Sequence, residues 1–106
     1  MVASQITSEY IENLTEKVTL NVFSAGCDRT NFIILNSLPI KTKSLGDKIK
    51  ITKMPLNKRL NDLEKVGLLR RIKSEGKIEK TILTDRFICM INQMKKDVIK
   101  DLSTII

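Results

Sequence analysis

The sequence predicts a mainly α fold with a small β-hairpin, in the order helix-helix-helix-helix-hairpin-helix. Three observations predict it. Apolar residues recur at spacings of three and four through most of the chain, as one face of a helix requires. The period changes to two between Leu68 and Ile82 around a glycine, as a hairpin requires. Gly26, Pro39 and Gly67 sit where the helical patterns stop. At 106 residues the chain reads as one domain, 1–106, whose small core gains from association.

The first helix is placed at 5–25. Thr7 or Ser8 before Glu9 suits its start, because a hydroxyl caps and an acid favours the first turn. Ile11, Leu14, Val18 and Val22 then fall on one face, and Gly26 marks a stop. Asp28 caps a second helix through Leu38, with Phe32, Ile33, Leu35 and Leu38 as its buried positions, and Pro39 ends it. A third, short helix fits Thr42 to Lys50, with Leu45 and Ile49 four apart. Gly46 lies inside it. Either it is a weak helix position, costing about 1 kcal/mol against Ala, or a crossing element leaves no room for a Cβ. Thr52 caps a fourth helix with Pro55 in its first turn, where no intrahelical donor is lost. Leu56, Leu60 and Leu63 form its inward stripe, and Gly67 suits the left-handed position beyond its end.

For the hairpin, 68–83, pairing Ile72 with Ile78 sets Leu68 opposite Ile82 and Arg70 opposite Lys80, with Arg71 meeting Glu79. Ser74-Glu75-Gly76 is then a three-residue loop with Gly76 at positive φ. A two-residue Glu75-Gly76 turn would mix the two faces. Thr84 caps the final helix, 85–105, which carries Phe87, Ile91, Met94, Val98, Leu102 and Ile105 at spacings close to a coiled-coil seam. Ile88, Ile99 and Ile106 lie to one side of it. One small core cannot absorb so long a stripe, and its natural use is as the interface of a homodimer, helped by the first helix.

Net charge is +7, concentrated in the middle third. Residues 41–80 hold 13 Lys and Arg against 5 Asp and Glu, a net of +8, while 1–40 net −2 and 81–106 net +1. Such a patch marks a surface for a polyanion. The chain has no His, so the commonest general base and all Ser-His and Cys-His pairs are excluded. Cys27 and Cys89 stand alone, are expected as small buried hydrophobes, and cannot complete a four-ligand Cys/His site. The four glycines are scattered, giving no phosphate loop. Neither a signal peptide nor a membrane-spanning run is evident, and the expectation is a cytoplasmic protein without enzymatic activity.

A short helix, a turn and a second helix with a capped, Pro-containing first turn form a helix-turn-helix, 42–66, and the basic hairpin directly after it is a wing. The expected fold is thus a winged helix-turn-helix. Such a unit sets its second helix in the DNA major groove, N-terminal half against the bases, and its wing on phosphates or the minor groove. The leucine stripe leaves Lys53, Asn57, Lys58 and Asn61 outward on the reading helix. Asn pairs bidentately with adenine, and Lys reaches guanine or phosphate. Thr42, Lys43 and Ser44 at the preceding helix start are candidates for backbone phosphates, and Lys73 and Lys77 flank the wing loop as clamps. With one Tyr and three Phe, a stacking platform for single strands is not supported.

The run DRTNFIILNSL (28–38) resembles the second helix of ArsR-type winged-helix regulators. SLGDKIKITKMPLNKRLNDLEKVGLLRR (44–71) is similar to their helix-turn-helix, with Leu45-Gly46 where Leu-Ala is favoured and Leu56 and Leu60 as core positions. Leu63-Glu64-Lys65-Val66-Gly67-Leu68 is similar to the family's Leu-Glu-x-x-Gly-Leu exit. The resemblance covers roughly 24–84, the flanking helices match in position only, and MarR-type regulators share the core. It implies a prokaryotic homodimer formed by the first and last helices, a repressor-like role, and often a metal or small-molecule effector. The thiolate motif of the metal-sensing members and the acid/His ligands of their last helix are missing, so no metal or other cofactor is expected. The leading expectation is a dimeric, sequence-specific regulator of transcription on double-stranded DNA. A winged-helix protein-interaction adaptor and a non-specific nucleoid protein are the alternatives, separated by binding to random DNA at rising salt.

Overall fold

The computed structural model describes the backbone of residues 2–105 and the side chains of 8–104. Five helices and a three-stranded antiparallel sheet follow one another as α1 (Val2–Gly26), α2 (Arg29–Ser37), β1 (Ile40–Lys41), α3 (Thr42–Ile49), α4 (Lys53–Lys65), β2 (Arg70–Ile72), β3 (Lys77–Glu79) and α5 (Ile82–Ile105). The fold is mainly helical with a small sheet.

Helix α1 runs through the expected Thr7–Ser8 start, and the side chain of Thr7 lies outside the described residues. Hydroxyl residues do not stop this helix where they bond back to its own carbonyls, as Thr15 does to Ile11 O and Thr19 to Thr15 O, both at 2.7 Å. Residues 8–21 are all exposed, and among the described side chains of α1 only those at its C-terminal end pack, with Val22 buried and Phe23 and Ala25 half-buried. Gly26 ends the helix against α5: a Cβ there would lie 2.3 Å from Phe87 Cε1.

Asp28 caps α2 as expected, its Oδ1 accepting from Asn31 N–H at 3.0 Å. The buried stripe is Asn31, Ile34, Leu35 and Leu38, whereas Ile33 is exposed and Phe32 half-buried. A polar residue heads the stripe, and its amide donates to Ala25 O at 2.9 Å. A pattern of apolar residues alone therefore sets the register one residue off.

Short strand β1, which the sequence pattern did not predict, pairs with β3 (Ile40↔Ile78, Lys41↔Lys77) and makes β3 central in the order β1-β3-β2. Two residues are too few to show an alternation. In α3, Leu45 is buried and Ile49 half-buried, and Lys50 closes the helix in the left-handed region at φ 55°. At Gly46 a built Cβ meets Leu56 Cδ2 at 3.5 Å, an ordinary contact, so the weak-position explanation holds and the crowded one does not. Helix α4 buries Leu56, Leu60 and Leu63 as predicted. Thr52 occupies its N-cap position without a side-chain cap bond. At its other end Leu68 N–H donates to Leu63 O (2.9 Å) and Gly67 N–H to Glu64 O (3.0 Å), with Gly67 at φ 86°. This is a Schellman closure.

Because Leu68 belongs to that closure, Leu68 and Leu69 are both buried and the period of two begins only at Arg70. The hairpin register differs from the expected one by a residue: Arg70↔Glu79, Arg71↔Ile78 and Ile72↔Lys77. Arg71 faces Glu64 of α4, and Arg70 takes the pairing with Glu79 at 2.8 Å that had been expected of Arg71. The connection is then four residues, a turn of 3₁₀ helix at Lys73–Glu75 followed by Gly76 at φ 60°. Pairing on both edges of β3 fixes the fully buried Ile78, a constraint invisible to a hairpin read in isolation.

Helix α5 is capped by Thr81, not Thr84. Thr81 N–H donates to Thr84 Oγ1 at 2.9 Å and Thr84 N–H to Thr81 Oγ1 at 3.3 Å, a reciprocal box. The two hydroxyls donate to Gly67 O and Leu68 O, which staples α5 to the exit of α4. Phe87 is 1% exposed and meets Phe23 and Phe32 edge-on at ring distances of 5.5 and 6.3 Å. It is a core residue, which removes it from the expected dimer seam. Ile91 is half-buried on the core, and Met94, Val98 and Leu102 are exposed. The Ile105 side chain and Ile106 lie outside the described residues. Cys27 and Cys89 are exposed, contrary to expectation, since neither lies on the inward stripe of its segment. No described helix is long and apolar enough to cross a membrane.

Candidate functional site

Helix α4 offers two polar surfaces beside its buried leucines. Met54, Lys58, Asn61 and Lys65, spaced 4, 3 and 4, are exposed and stand opposite the leucine stripe. Lys53 and Asn57 lie on the flank toward α3. There a groove of about 460 Å³ is lined by Thr42, Lys43 and Asp47 of α3, Lys53 and Asn57 of α4, and Gly76 of the hairpin loop. Four of the nine residues expected to contact DNA thus border one groove. The loop is tied to it directly, because Gly76 O accepts the Thr42 N–H at 2.9 Å. That bond takes one of the free donors of the α3 N-terminus, leaving the Thr42 hydroxyl and the exposed Lys43 and Ser44 side chains to meet an anion.

Lys58 lies apart from that groove. It borders a wider concavity of about 800 Å³ between α1 and α4, with Val18, Asp28, Arg59, Asp62 and Lys65. Arg59 crosses it and donates to Asp28 Oδ1 at 2.7 Å and Asn31 Oδ1 at 3.1 Å. The Asn31 backbone N–H and then this guanidinium hold the Asp28 carboxyl below its usual range. Asn61 is engaged as well, because its Oδ1 accepts from Arg71 Nη2. Arg71 in turn grips Glu64: its backbone N–H donates to Oε2 (3.1 Å), and Nε and Nη2 donate to Oε1 (3.0 and 2.8 Å). These bonds, the backbone one first, lower the Glu64 pKa.

On the hairpin the two lysines differ. Lys77 lies 3.0 Å from Glu75 and 3.3 Å from Glu79, and hydrogen bonds to these carboxylates raise its pKa. Arg70 first, then Lys77, lowers that of Glu79. Lys73 is exposed and has no ion pair among the described residues. Among the described residues, Lys43, Lys53, Lys58 and Lys73 have no ion pair and Asn57 no side-chain hydrogen bond, and the start of α3 adds further donors. Sequence reasoning missed Met54, 82% exposed on the first turn of α4, because an apolar side chain carries no hydrogen-bonding signal for a polar ligand. It also missed Lys65, legible as the next step of the outward stripe, and the bracing by Arg59 and Arg71, whose partners are remote in sequence. Among the described residues no three His, Cys, Asp or Glu are grouped to hold a metal ion. The chain matches no known protein family, no curated protein and no solved structure.

Proposed function

We propose that this protein is a homodimeric winged helix-turn-helix regulator, of the ArsR/MarR-like kind, that binds double-stranded DNA at preferred sequences in the cytoplasm and acts as a repressor. The observation that carries the proposal is the convergence of the α3 start, the polar faces of α4 and the hairpin loop within the segment of net charge +8. In this proposal α3 and α4 are the helix-turn-helix and the β2–β3 hairpin is the wing. Helix α4 enters the major groove with Lys53, Met54, Asn57, Lys58 and Asn61 toward base edges. Asn57 and the lysines supply hydrogen bonds, and Met54 supplies an apolar contact of the kind a thymine methyl accepts. Thr42, Lys43 and Ser44 hold the phosphate backbone, and Lys73 extends that hold from the wing. Lys77 balances Glu75 and Glu79 and keeps the wing from repelling phosphate.

Dimerisation is supported by shape. The radius of gyration is 17.2 Å, against about 13 Å for a compact domain of this length. The chain exposes 8206 Å², roughly 2,200 Å² more than the approximately 6,000 Å² of a compact 12.1 kDa monomer. On α1 and α5, Ile11, Leu14 and Val18 and then Met94, Val98 and Leu102 form exposed apolar faces. An obligate dimer buries about 2,000–5,000 Å² in total, the order of the excess that two such chains carry.

The test is selection of preferred duplexes from a random pool, followed by affinity for the selected and a scrambled site across salt concentrations. A regulator keeps a preference of a thousandfold or more, on the order known for specific readers. Equal binding to all sequences indicates a nucleoid protein, and no binding indicates an adaptor.

A further inference from the structure

On the homodimer proposed above, we infer that the two copies join through their first helices, each α1 lying in the cleft between α1 and α4 of the other copy. Residues 8–21 are all exposed, so among the described residues nothing of the same chain covers them. Ile11, Leu14 and Val18 form one row along this helix. Glu9, Glu12 and Glu16 form a second row, each acid two residues before an apolar one. Two residues turn the helix by about 200°, so the rows stand on opposite faces. Such a helix suits a cleft in which it meets an apolar row on one side and cations on the other.

The concavity of about 800 Å³ between α1 and α4 has both sides. Val18 and Ala25 line it from α1, and the apolar row runs on from Val18 past its mouth to Leu14 and Ile11. From α4 come Lys58 and Lys65. Arg59 and Asp28 cancel each other at 2.7 Å, which leaves the two lysines against Asp62 alone. Among the described residues neither lysine has an ion pair, and neither do Glu9, Glu12 and Glu16. The spacings agree as well: Lys58 and Lys65 are seven residues apart, as are Glu9 and Glu16, about 10.5 Å along either helix. A two-fold axis makes the fit mutual. The apolar rows of the two α1 helices meet antiparallel at the centre, and each acid row faces the other copy's α4. The α5 face is left for the rest of the interface. Lys58 also borders the outward side of α4 proposed to meet DNA, whereas Lys65 has no part in that contact.

The experiment exchanges charge between the two helices and reads self-association by sedimentation. One variant carries Glu9→Lys with Glu16→Lys, the other Lys58→Glu with Lys65→Glu, and all four positions are exposed, so circular dichroism should match wild type. Each variant alone sets like charges together in both halves of its dimer and should associate about tenfold more weakly, a loss that shrinks at high salt. An equimolar mixture should recover wild-type affinity as a heterodimer, because both halves then pair opposite charges. A single chain carrying all four exchanges should recover it as a homodimer. Variants that associate like wild type, or a mixture no tighter than its components, overturn this placement of α1 while a dimer resting on α5 survives. Wild type monomeric at tens of micromolar removes the dimer and the placement together.

Discussion

Substituting alanine for Gly26 and for Gly46 should have opposite effects, although helix propensity alone says the same of both. Alanine in place of a helical glycine gains up to about 1 kcal/mol. At Gly26 the new Cβ would stand 2.3, 2.5 and 2.9 Å from three atoms of the Phe87 ring. The ring cannot step aside, since Phe23 and Phe32 press on it edge-on and it is 1% exposed. Overpacking of this kind costs about 1–3 kcal/mol, which exceeds the propensity gain at the last residue of α1. A net loss near 2 kcal/mol lowers Tm by roughly 8–16 °C in a domain of this size. At Gly46 the nearest atoms are 3.5 and 3.7 Å away, so propensity decides and Tm should rise by about 2–8 °C. Thermal melts at one fixed protein concentration make the comparison, because association shifts Tm by mass action. Combining Gly26→Ala with Phe87→Leu should recover part of the loss, as coupled neighbours do. A Gly26→Ala protein melting at or above wild type would refute the assignment of Phe87 as the stop of α1.

The remaining expectations concern the surface. Lys73→Ala should reduce the slope of log affinity against log salt by about one on any duplex. Lys77→Ala should change it less, because Lys77 is engaged by Glu75 and Glu79 rather than by phosphate; equal slopes for the two variants count against the division of roles. Asp28 and Glu64 have folded pKa values below the ordinary 3.8 and 4.5, so their stabilisation is complete above those values and is lost as pH falls through the folded ones. Tm should therefore drop on acidification below about pH 4.5, less steeply for Asp28→Asn with Glu64→Gln, and an unchanged acid limb refutes this. Placing Asp at both Met94 and Val98, exposed in the single chain, should leave helicity intact but convert a dimer of two 12.1 kDa chains to monomer in sedimentation. Wild type already monomeric at tens of micromolar removes the dimer.

The order of the helices and the hairpin, the leucine stripe of α4 and the glycine closures at Gly67 and Gly76 were legible because each rests on local spacing and local φ. What could not be read depends on contacts between distant segments. Ile34 rather than Ile33 is buried because Asn31 heads the α2 stripe and is satisfied by Ala25 and Arg59. The hairpin register follows from Arg71 bonding Glu64 and from β1 closing on the far edge of β3. Phe87 belongs to the core rather than the α5 seam because Gly26 leaves space for its ring. At the candidate site, the residue types on α4 were legible from its period, whereas the engagement of Asn61 and Lys77 by other side chains was not.

Two kinds of contact hold α4, and they do different things. Leu56, Leu60 and Leu63 are almost wholly buried and anchor the helix, each contributing about 1.5–3 kcal/mol. Apolar packing is non-directional, however, and permits the helix some roll about its axis. The two arginine pairs lie on opposite flanks: Arg59 reaches down to Asp28 and Asn31, and Arg71 reaches in from the sheet to Glu64 and Asn61. All four charged side chains are partly exposed, so each pair adds at most about 1 kcal/mol. Guanidinium hydrogen bonds are directional: Arg71 grips Glu64 through Nε and Nη2, Arg59 binds Asp28 and Asn31 through Nη1, and one set on each flank restrains the roll. In a protein that reads base edges, the angle at which Asn57 and Lys58 leave the helix decides which atoms they meet. On the proposed DNA-reading role, the arginines act on specificity more than on stability.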